Sequence, residues 1–320
     1  MSEQKLSFSP ISASDLRKHK SSEDVNQSIS LHLPYREPFN WPALLEFLEV
    51  RAIPGVEQVV SDVYQRVIQI GDKSGMILVS AGNRNNSRPV IKVKTAFPEL
   101  NKLHYISEKI TSLFDLDAPA EEIDKYLKKD PLLKSSIQKN GGLRVPGCWD
   151  QFELCIRAIL GQQISVKGAT TISGRIVEKY GKEYIGPVFN DNHQKWFTFP
   201  KPSVLKDAGF EGLGLTKSRI ATIKSLATAV CSKIIDFEQH TESDILVKKL
   251  KEIKGIGDWT AQYIAMRALR DPNAFPASDL GLIKAVSTTS EKIKPKYLEK
   301  LSQKWTPWRA TAAMYLWRSL

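Results

Sequence analysis

The run LKEIKGIGDWTAQYIAMRALRDPNAFPASDLGLIK, Leu250 to Lys284, decides how this chain is read. Just upstream, Leu246, Leu250 and Ile253 recur at i, i+4 and i+7, which predicts a helix with one apolar stripe and with Lys248, Lys249 and Lys251 on its other faces. Lys254-Gly255-Ile256-Gly257 ends that helix. Two glycines around one apolar residue permit positive φ and close approach of another molecule's backbone. The next residues open a second helix, whose free N–H groups and dipole favour an anion. A nucleic-acid phosphate suits that position, with Ile256 plugging the hairpin into the core and Thr260 adding a hydroxyl one turn in. A single glycine after a helix is more often a plain C-cap. The paired spacing, the basic flank and the residues that follow favour the anion site.

Those following residues are Phe275-Pro276-Ala277-Ser278-Asp279-Leu280-Gly281, where proline and small side chains lead into a new helix. An isolated Asp at such a point is first an N-cap. A helix N-terminus also keeps a carboxylate ionised in a partly apolar pocket, which a charge facing a developing cation requires. The two roles coexist. Trp259 and Tyr263 stand at i, i+4 on the helix after the hairpin and share a face, while Trp305, Trp308, Tyr315 and Trp317 crowd the C-terminus. Most of these aromatics are expected to be packing, and a few beside the carboxylate can stack on an extruded base.

The 320 residues carry 46 Lys+Arg against 35 Asp+Glu, a formal charge of +11, which suits a polyanionic partner and is silent on fold and chemistry. Cys148, Cys155 and Cys231 are too scattered for a disulfide framework, a zinc site or a four-cysteine cluster, and are expected as buried thiols in a reducing compartment. The five histidines show no metal-ligand spacing, so no metal is expected. No apolar run approaches membrane-spanning length and MSEQKLSFSP lacks a secretory pattern, so the expectation is a cytoplasmic chain, at the nucleoid of a prokaryote or in the nucleus of a eukaryote.

Residues 1–30 are polar and Ser-rich, a composition expected to stay disordered. From His32 a Pro-punctuated entry leads to a helix with Leu44, Phe47 and Leu48 on one side. VYQRVIQI, the turn GDKSG, MILVSA, the turn-rich GNRNNSRP and VIKVKTA read as an antiparallel meander, and Leu103, Ile106, Ile110 and Leu113 mark a further helix. This predicts a small α+β domain over 31–115. From Ala120 nearly every segment reads as helix, broken at Pro, Gly and Asn, which makes 116–320 an all-α region of two packed sub-bundles with the hairpin motif at 245–269. The break Gly161-Gln162-Gln163-Ile164-Ser165 in this region is either a plain kink with solvated glutamines or a wedge into a base stack.

Three blocks together carry a resemblance over most of the chain: PFNWPALLEFLEVRA (38–52), PGCWDQFELCIRAILGQQISV (146–166), and the run from KGIGDWTAQYIAMRAL (254–269) through FPASDLG (275–281) to KWTPWRATAAMYLW (304–317). The chain resembles the AlkA-type DNA-3-methyladenine glycosylases of the helix-hairpin-helix DNA glycosylase superfamily. The resemblance implies an α+β fold, in which a small antiparallel-sheet domain precedes a helix-hairpin-helix core of two helical subdomains with the cleft between them. It implies a monomer that binds double-stranded DNA containing alkylated bases such as 3-methyladenine and 7-methylguanine, and hydrolyses their N-glycosidic bond. It places the catalytic carboxylate at Asp279 and the phosphate contacts at Gly255, Gly257 and Thr260. The base pocket falls on Phe47, Trp259, Tyr263 and Trp317. Two positions depart from the pattern. Leu280 stands where familiar members have an aromatic wall of the pocket, and Gln163 where they insert a leucine, so the wedge falls on Gln163, its neighbour Ile164 or both.

A purine alkylated at N3 or N7 is cationic and already a good leaving group, so one anion that stabilises the oxocarbenium-like sugar and orients water is sufficient. No cofactor is expected, and a monovalent cation on the hairpin carbonyls would be ordinary for the motif. Related bifunctional enzymes for oxidised purines place a Schiff-base lysine where this chain has Trp259, so strand cleavage is not expected. A non-catalytic DNA-binding protein would keep the glycines and the basic charge but would have no reason to hold Asp279 beside a pocket.

Overall fold

The computed structural model describes residues 28–82, 88–189, 194–237, 242–287 and 293–320. Most of the polar leader lies outside them. Among these residues five strands, β1 (Ile29–Pro34), β2 (Glu57–Val60), β3 (Val63–Ile70), β4 (Lys73–Ala81) and β5 (Val90–Ala96), form one antiparallel sheet in the order β1-β5-β4-β3-β2. Its meander core is the one read from alternation. The first strand is not: Ile29 and Ser30 already belong to β1, which pairs with β5 from Ile29–Thr95 to Pro34–Val90. Six residues ending in proline give a weak signal, and only the partner strand makes them a strand. The turn after β3 is also tighter than GDKSG implied. Ile70 pairs with Lys73, leaving Gly71-Asp72 as a two-residue turn with Gly71 at φ +60°, so Ser74 and Gly75 join the ladder.

The first two helices, α1 (Trp41–Glu49) and α2 (Leu103–Phe114), cover one sheet face. Leu44, Leu45 and Leu48 of the first and Ile106, Ile110 and Leu113 of the second pack with Tyr64, Ile77 and Val93 in a continuous core. Among the described residues eleven helices follow the sheet domain: α3 (Ala120–Leu127), α4 (Pro131–Asn140), α5 (Gln151–Leu160), α6 (Val166–Tyr180), α7 (Pro202–Leu205), α8 (Lys217–Cys231), α9 (Ser243–Glu252), α10 (Asp258–Ala268), α11 (Leu280–Val286), α12 (Pro295–Ser302) and α13 (Arg309–Arg318).

They build two cores that share one wall. Ala261, Ile264 and Ala268 of α10 face a cluster made with α5, α8 and α9, while Ala265 and Met266 on its other side face a cluster with α4 and α13. A helix buried on two sides needs small residues around its circumference, and α10 has three alanines.

The all-helical expectation fails over 181–189 and 194–201. This stretch, dense in Gly and Pro, runs extended with a bridge between Glu183 and Phe197, and Tyr184 and Trp196 pack on Val67 and Met76 of the sheet. The thiols also divide: Cys155 is buried and Cys148 half-buried, its thiol pushed up to about 12 by burial, but Cys231 is exposed at the end of α8 and is not the buried thiol expected.

The sheet domain and the helical region are joined by a buried ionic cluster. Arg66 on β3 reaches Glu153 on α5 at 2.7 Å, and Arg157, one turn further along α5, reaches Glu57 on β2 at 2.7 Å and Glu153 at 3.2 Å. Burial alone would push the Glu57 carboxyl up, but Arg157 and Arg66 hold it below the ordinary carboxylate range. Two carboxylates against two guanidiniums leave this seam without net charge.

Candidate active site

Between the two helical cores lies a cavity of about 400 Å³, walled by α5 and the start of α6 on one side and by α10, Asp279 and Trp317 on the other. Asp279 caps α11: its Oδ1 accepts the Leu282 N–H at 2.9 Å. The cap is only one of its bonds. Trp317 Nε1 donates to Oδ1 at 2.8 Å and Trp259 Nε1 donates to Oδ2 at 2.9 Å, so the carboxylate is half-buried and aimed by two indoles from different helices. Gly281 makes room for this clamp, since a Cβ there would lie 2.9 Å from Asp279 Oδ1 and 3.1 Å from Trp317 Cδ1.

Trp259 and Tyr263 stack with ring centroids 5.4 Å apart and planes inclined by 10°, and Trp317 meets Tyr263 edge-on at 6.5 Å. Tyr263 also accepts from Arg267 Nη1 at 2.8 Å. Burial would raise its phenol, but Arg267 and Arg51 overcome that and hold it below the ordinary tyrosine value. Tyr315 and Trp305 are core residues, as expected of most aromatics in the C-terminal group.

Asp279, Trp259, Tyr263 and Trp317 therefore meet at one cavity, while two other positions expected in the base pocket, Leu280 and Phe47, do not line it. Leu280 is 81% exposed and does not line the cavity, because the helix it opens points its first side chain outward. Phe47 lies one layer behind the wall, its ring under the guanidinium of Arg51 at 3.8 Å and of Arg267 at 5.0 Å. Of the two wedge candidates, Ile164 lines the cavity and Gln163 does not. Gln163 is exposed at φ +56°, at the tip of the 161–165 turn.

The hairpin has the outline expected, with its parts used differently. Gly255 takes φ +95°, and a Cβ on it would fall 2.0 Å from Thr222 Oγ1. Gly257 does not use positive φ; it is the extended N-cap of α10, and a Cβ there would meet nothing within 4 Å. Ile256 is buried in the core as read. Thr260 is buried too, its hydroxyl accepts from Gln162 Nε2 at 2.9 Å, and its backbone N–H lies in the first turn of α10. Gln162 is not solvated. Its Nε2 also donates to Gly255 O at 2.9 Å and its carbonyl accepts from Arg219 at 2.6 Å, tying the wedge turn to the hairpin. Thr222 donates to Lys254 O at 2.9 Å. Two hairpin carbonyls are thus engaged by side chains, and a cation there would rely on the others.

Three arginines on the cavity wall, Arg51, Arg157 and Arg267, went unread in the sequence. Arg51 and Arg267 stand one helical turn after Phe47 and Tyr263, an aromatic–arginine i, i+4 pair that carries a usable signal. Among the described residues no lysine lines the cavity; Lys254 and Lys284 are both exposed. Among the described residues no group of three or more His, Cys, Asp or Glu is placed to hold a metal ion, and no helix is long and apolar enough to cross a membrane.

Residues 30–150 match the AlkA N-terminal domain, and residues 156–308 match the HhH-GPD superfamily of base excision DNA repair proteins. The chain is 31% identical to the DNA-3-methyladenine glycosylase of Bacillus subtilis, over 93% of this chain and 98% of that one. It is 32% identical to a probable bifunctional transcriptional activator/DNA repair enzyme AlkA of Mycobacterium tuberculosis; the match takes in 92% of this chain but spans only 57% of that longer protein. The structure shares its fold with 3-methyladenine DNA-glycosylase from Archaeoglobus fulgidus, with a TM-score of 0.76 at 24% identity over 90% of this chain and 97% of the other.

Proposed function

This chain belongs to the DNA-3-methyladenine glycosylases of the HhH-GPD superfamily, and on that premise we propose that it extrudes alkylated bases from duplex DNA and hydrolyses their N-glycosidic bond, opening base excision repair. The observation that carries the reading is the Asp279 carboxylate, held by Trp259 and Trp317 against a cavity large enough to take a base out of the stack.

An electron-poor base enters between aromatic faces, and the stacked Trp259–Tyr263 pair is the available platform. As the C1′–N bond lengthens, positive charge grows on the sugar. Asp279 faces that charge and accepts the proton of the attacking water. Its two indole donors are in place before the reaction, so little reorganisation is needed at the transition state. The free N–H groups at the start of α10 hold a phosphate of the same strand. Gln163, held at the tip of the turn by the Gln162 tether, fills the gap that the base leaves, while Ile164 closes the cavity over it. The protein works on DNA as a monomer inside the cell, and a monovalent cation on the remaining hairpin carbonyls is compatible with this arrangement.

Release of free base from duplex DNA carrying 3-methyladenine or 7-methylguanine tests the reading; no release sinks it. The product is expected to be an intact abasic strand. With no lysine among the described residues of the cavity wall, borohydride should trap no protein–DNA adduct, and strand breaks should appear only after alkali.

A further inference from the structure

The turn between α5 and α6 is held in a strained form through one side chain. Gln163 stands exposed at its tip at φ +56°, a region that a residue with a Cβ adopts only where its surroundings impose it. The imposing contacts fall on its neighbour. Gln162 Nε2 donates to Gly255 O and to Thr260 Oγ1, both at 2.9 Å, and its own carbonyl accepts from Arg219 Nη2 at 2.6 Å. A backbone carbonyl can only accept, so the amide nitrogen is the end that must face the hairpin. Helix α8, which carries Arg219, also sends Thr222 Oγ1 to Lys254 O at 2.9 Å. Turn, hairpin and α8 thus brace one another in a closed triangle. The hairpin has anchors of its own in buried Ile256 and in Thr222. What Gln162 fixes is the position of the turn tip relative to the start of α10.

We propose that Gln162 is a positioning residue that couples the phosphate grip at α10 to base extrusion by Gln163. The inference rests on the glycosylase reading above, in which a phosphate sits at that helix end and Gln163 fills the gap behind the extruded base. A phosphate contact is made alike on damaged and undamaged DNA. It can offset the cost of unstacking a nucleotide only if the wedge is carried rigidly with the grip. A turn joined to the hairpin by loose chain would yield against the stack, and the phosphate contact would then hold the strand without opening it. Through the two bonds of Gln162, a strand seated on α10 meets the tip at a fixed offset, and the conformation of Gln163 is set before DNA arrives. Gln162 does not line the cavity and takes no part in bond cleavage.

The test compares wild type with Gln162→Met, which keeps the length of the side chain and removes its donors. One duplex carries 7-methylguanine opposite cytosine, and a second carries it opposite an abasic-site analogue, where no pairing opposes extrusion. Single-turnover release from the paired duplex is expected to fall about 100-fold, the scale of a small displacement remote from the reacting atoms. Release from the unpaired duplex should fall by less than about threefold, because the step that needs the tether has been made easy. A 2-aminopurine beside the lesion should brighten when wild type binds the paired duplex and stay dim with the variant. Affinity for undamaged duplex should hold within about twofold, since the phosphate contacts remain. Equal loss on both duplexes, no loss on the paired one, an unchanged 2-aminopurine signal or weakened binding of undamaged DNA overturns the proposal. Should Gln162→Met fail to melt cooperatively, Arg219→Met, which frees the same turn from α8, takes its place with the same expected split. A wild type that releases 7-methylguanine from neither duplex defeats the glycosylase reading instead.

Discussion

At Asp279 a capping position and the carboxylate proposed to react are one group, and the same three hydrogen bonds serve both. Asp279→Asn keeps the cap, since Asn is as good an N-cap as Asp. It also turns an amide N–H₂ toward one of the indole N–H groups, donor against donor, and removes the charge. Base release is expected to drop by roughly 10²–10³-fold, with duplex binding retained and the loss of one hydrogen bond costing stability about 1 kcal/mol. Single-turnover release, a binding isotherm and a thermal melt measure the three quantities; a folded variant that turns over like wild type would remove Asp279 from the chemistry. The aspartate could be found from sequence because proline and small residues set it alone before a helix. The indole clamp could not, since Trp317 lies 38 residues away and only the packing of α13 on α11 brings it in. Thr260 shows the opposite case, a hydroxyl at the right distance along the chain that the fold buries against the Gln162 side chain.

The hairpin between α9 and α10 separates two uses of glycine that look alike in sequence. Gly255 is required by the fold itself, through its φ of +95° and the hydroxyl of Thr222 where a Cβ would go. Gly257 is not, because its backbone is extended and the space beside it is open. Gly255→Ala should therefore lower stability by about 1 kcal/mol or more and weaken binding with it. Gly257→Ala should melt like wild type yet bind damaged and undamaged duplexes more weakly by the same factor, with the salt dependence shallower by about one phosphate. If Gly257→Ala binds both duplexes like wild type, the phosphate does not sit at this helix end. Loss on damaged DNA alone would assign the hairpin to the lesion pocket. Helices α1, α2 and α9 and strand β5 follow from periodicity because each buries one face in a regular pattern. The short first strand and the extended stretches 181–189 and 194–201 do not, because their structure comes from the partner they lie on, which no local pattern encodes.

Across the molecule, the sheet domain and the cavity are coupled through buried charge. Glu57 on β2 holds Arg157 on α5, and Arg157 in turn donates to the backbone carbonyl of Arg51, so the arginine at the cavity is positioned from the N-terminal sheet. Removing one member of such a set is costly because it leaves a buried charge uncompensated. Glu57→Gln is expected to destabilise the protein by ~3–5 kcal/mol, where a lone surface pair would matter little. The pH dependence carries a sharper signature. The Glu57 carboxyl lies below its unfolded value in the folded protein, so its contribution is fully present above the unfolded carboxylate range, near pH ~4.3, and is lost as pH falls through that range and below it. Wild type should therefore lose stability steeply on acidification from about pH 5. Glu57→Gln should be less stable at neutral pH and flatter over the same window, because the group that titrates has gone. Thermal or denaturant melts of both proteins between pH 3 and pH 7 check this. Parallel curves, displaced by a constant amount, would mean that the charge of Glu57 is not what couples the sheet to the cavity. Parallel curves with no displacement would mean that the cluster does not bind the two regions at all.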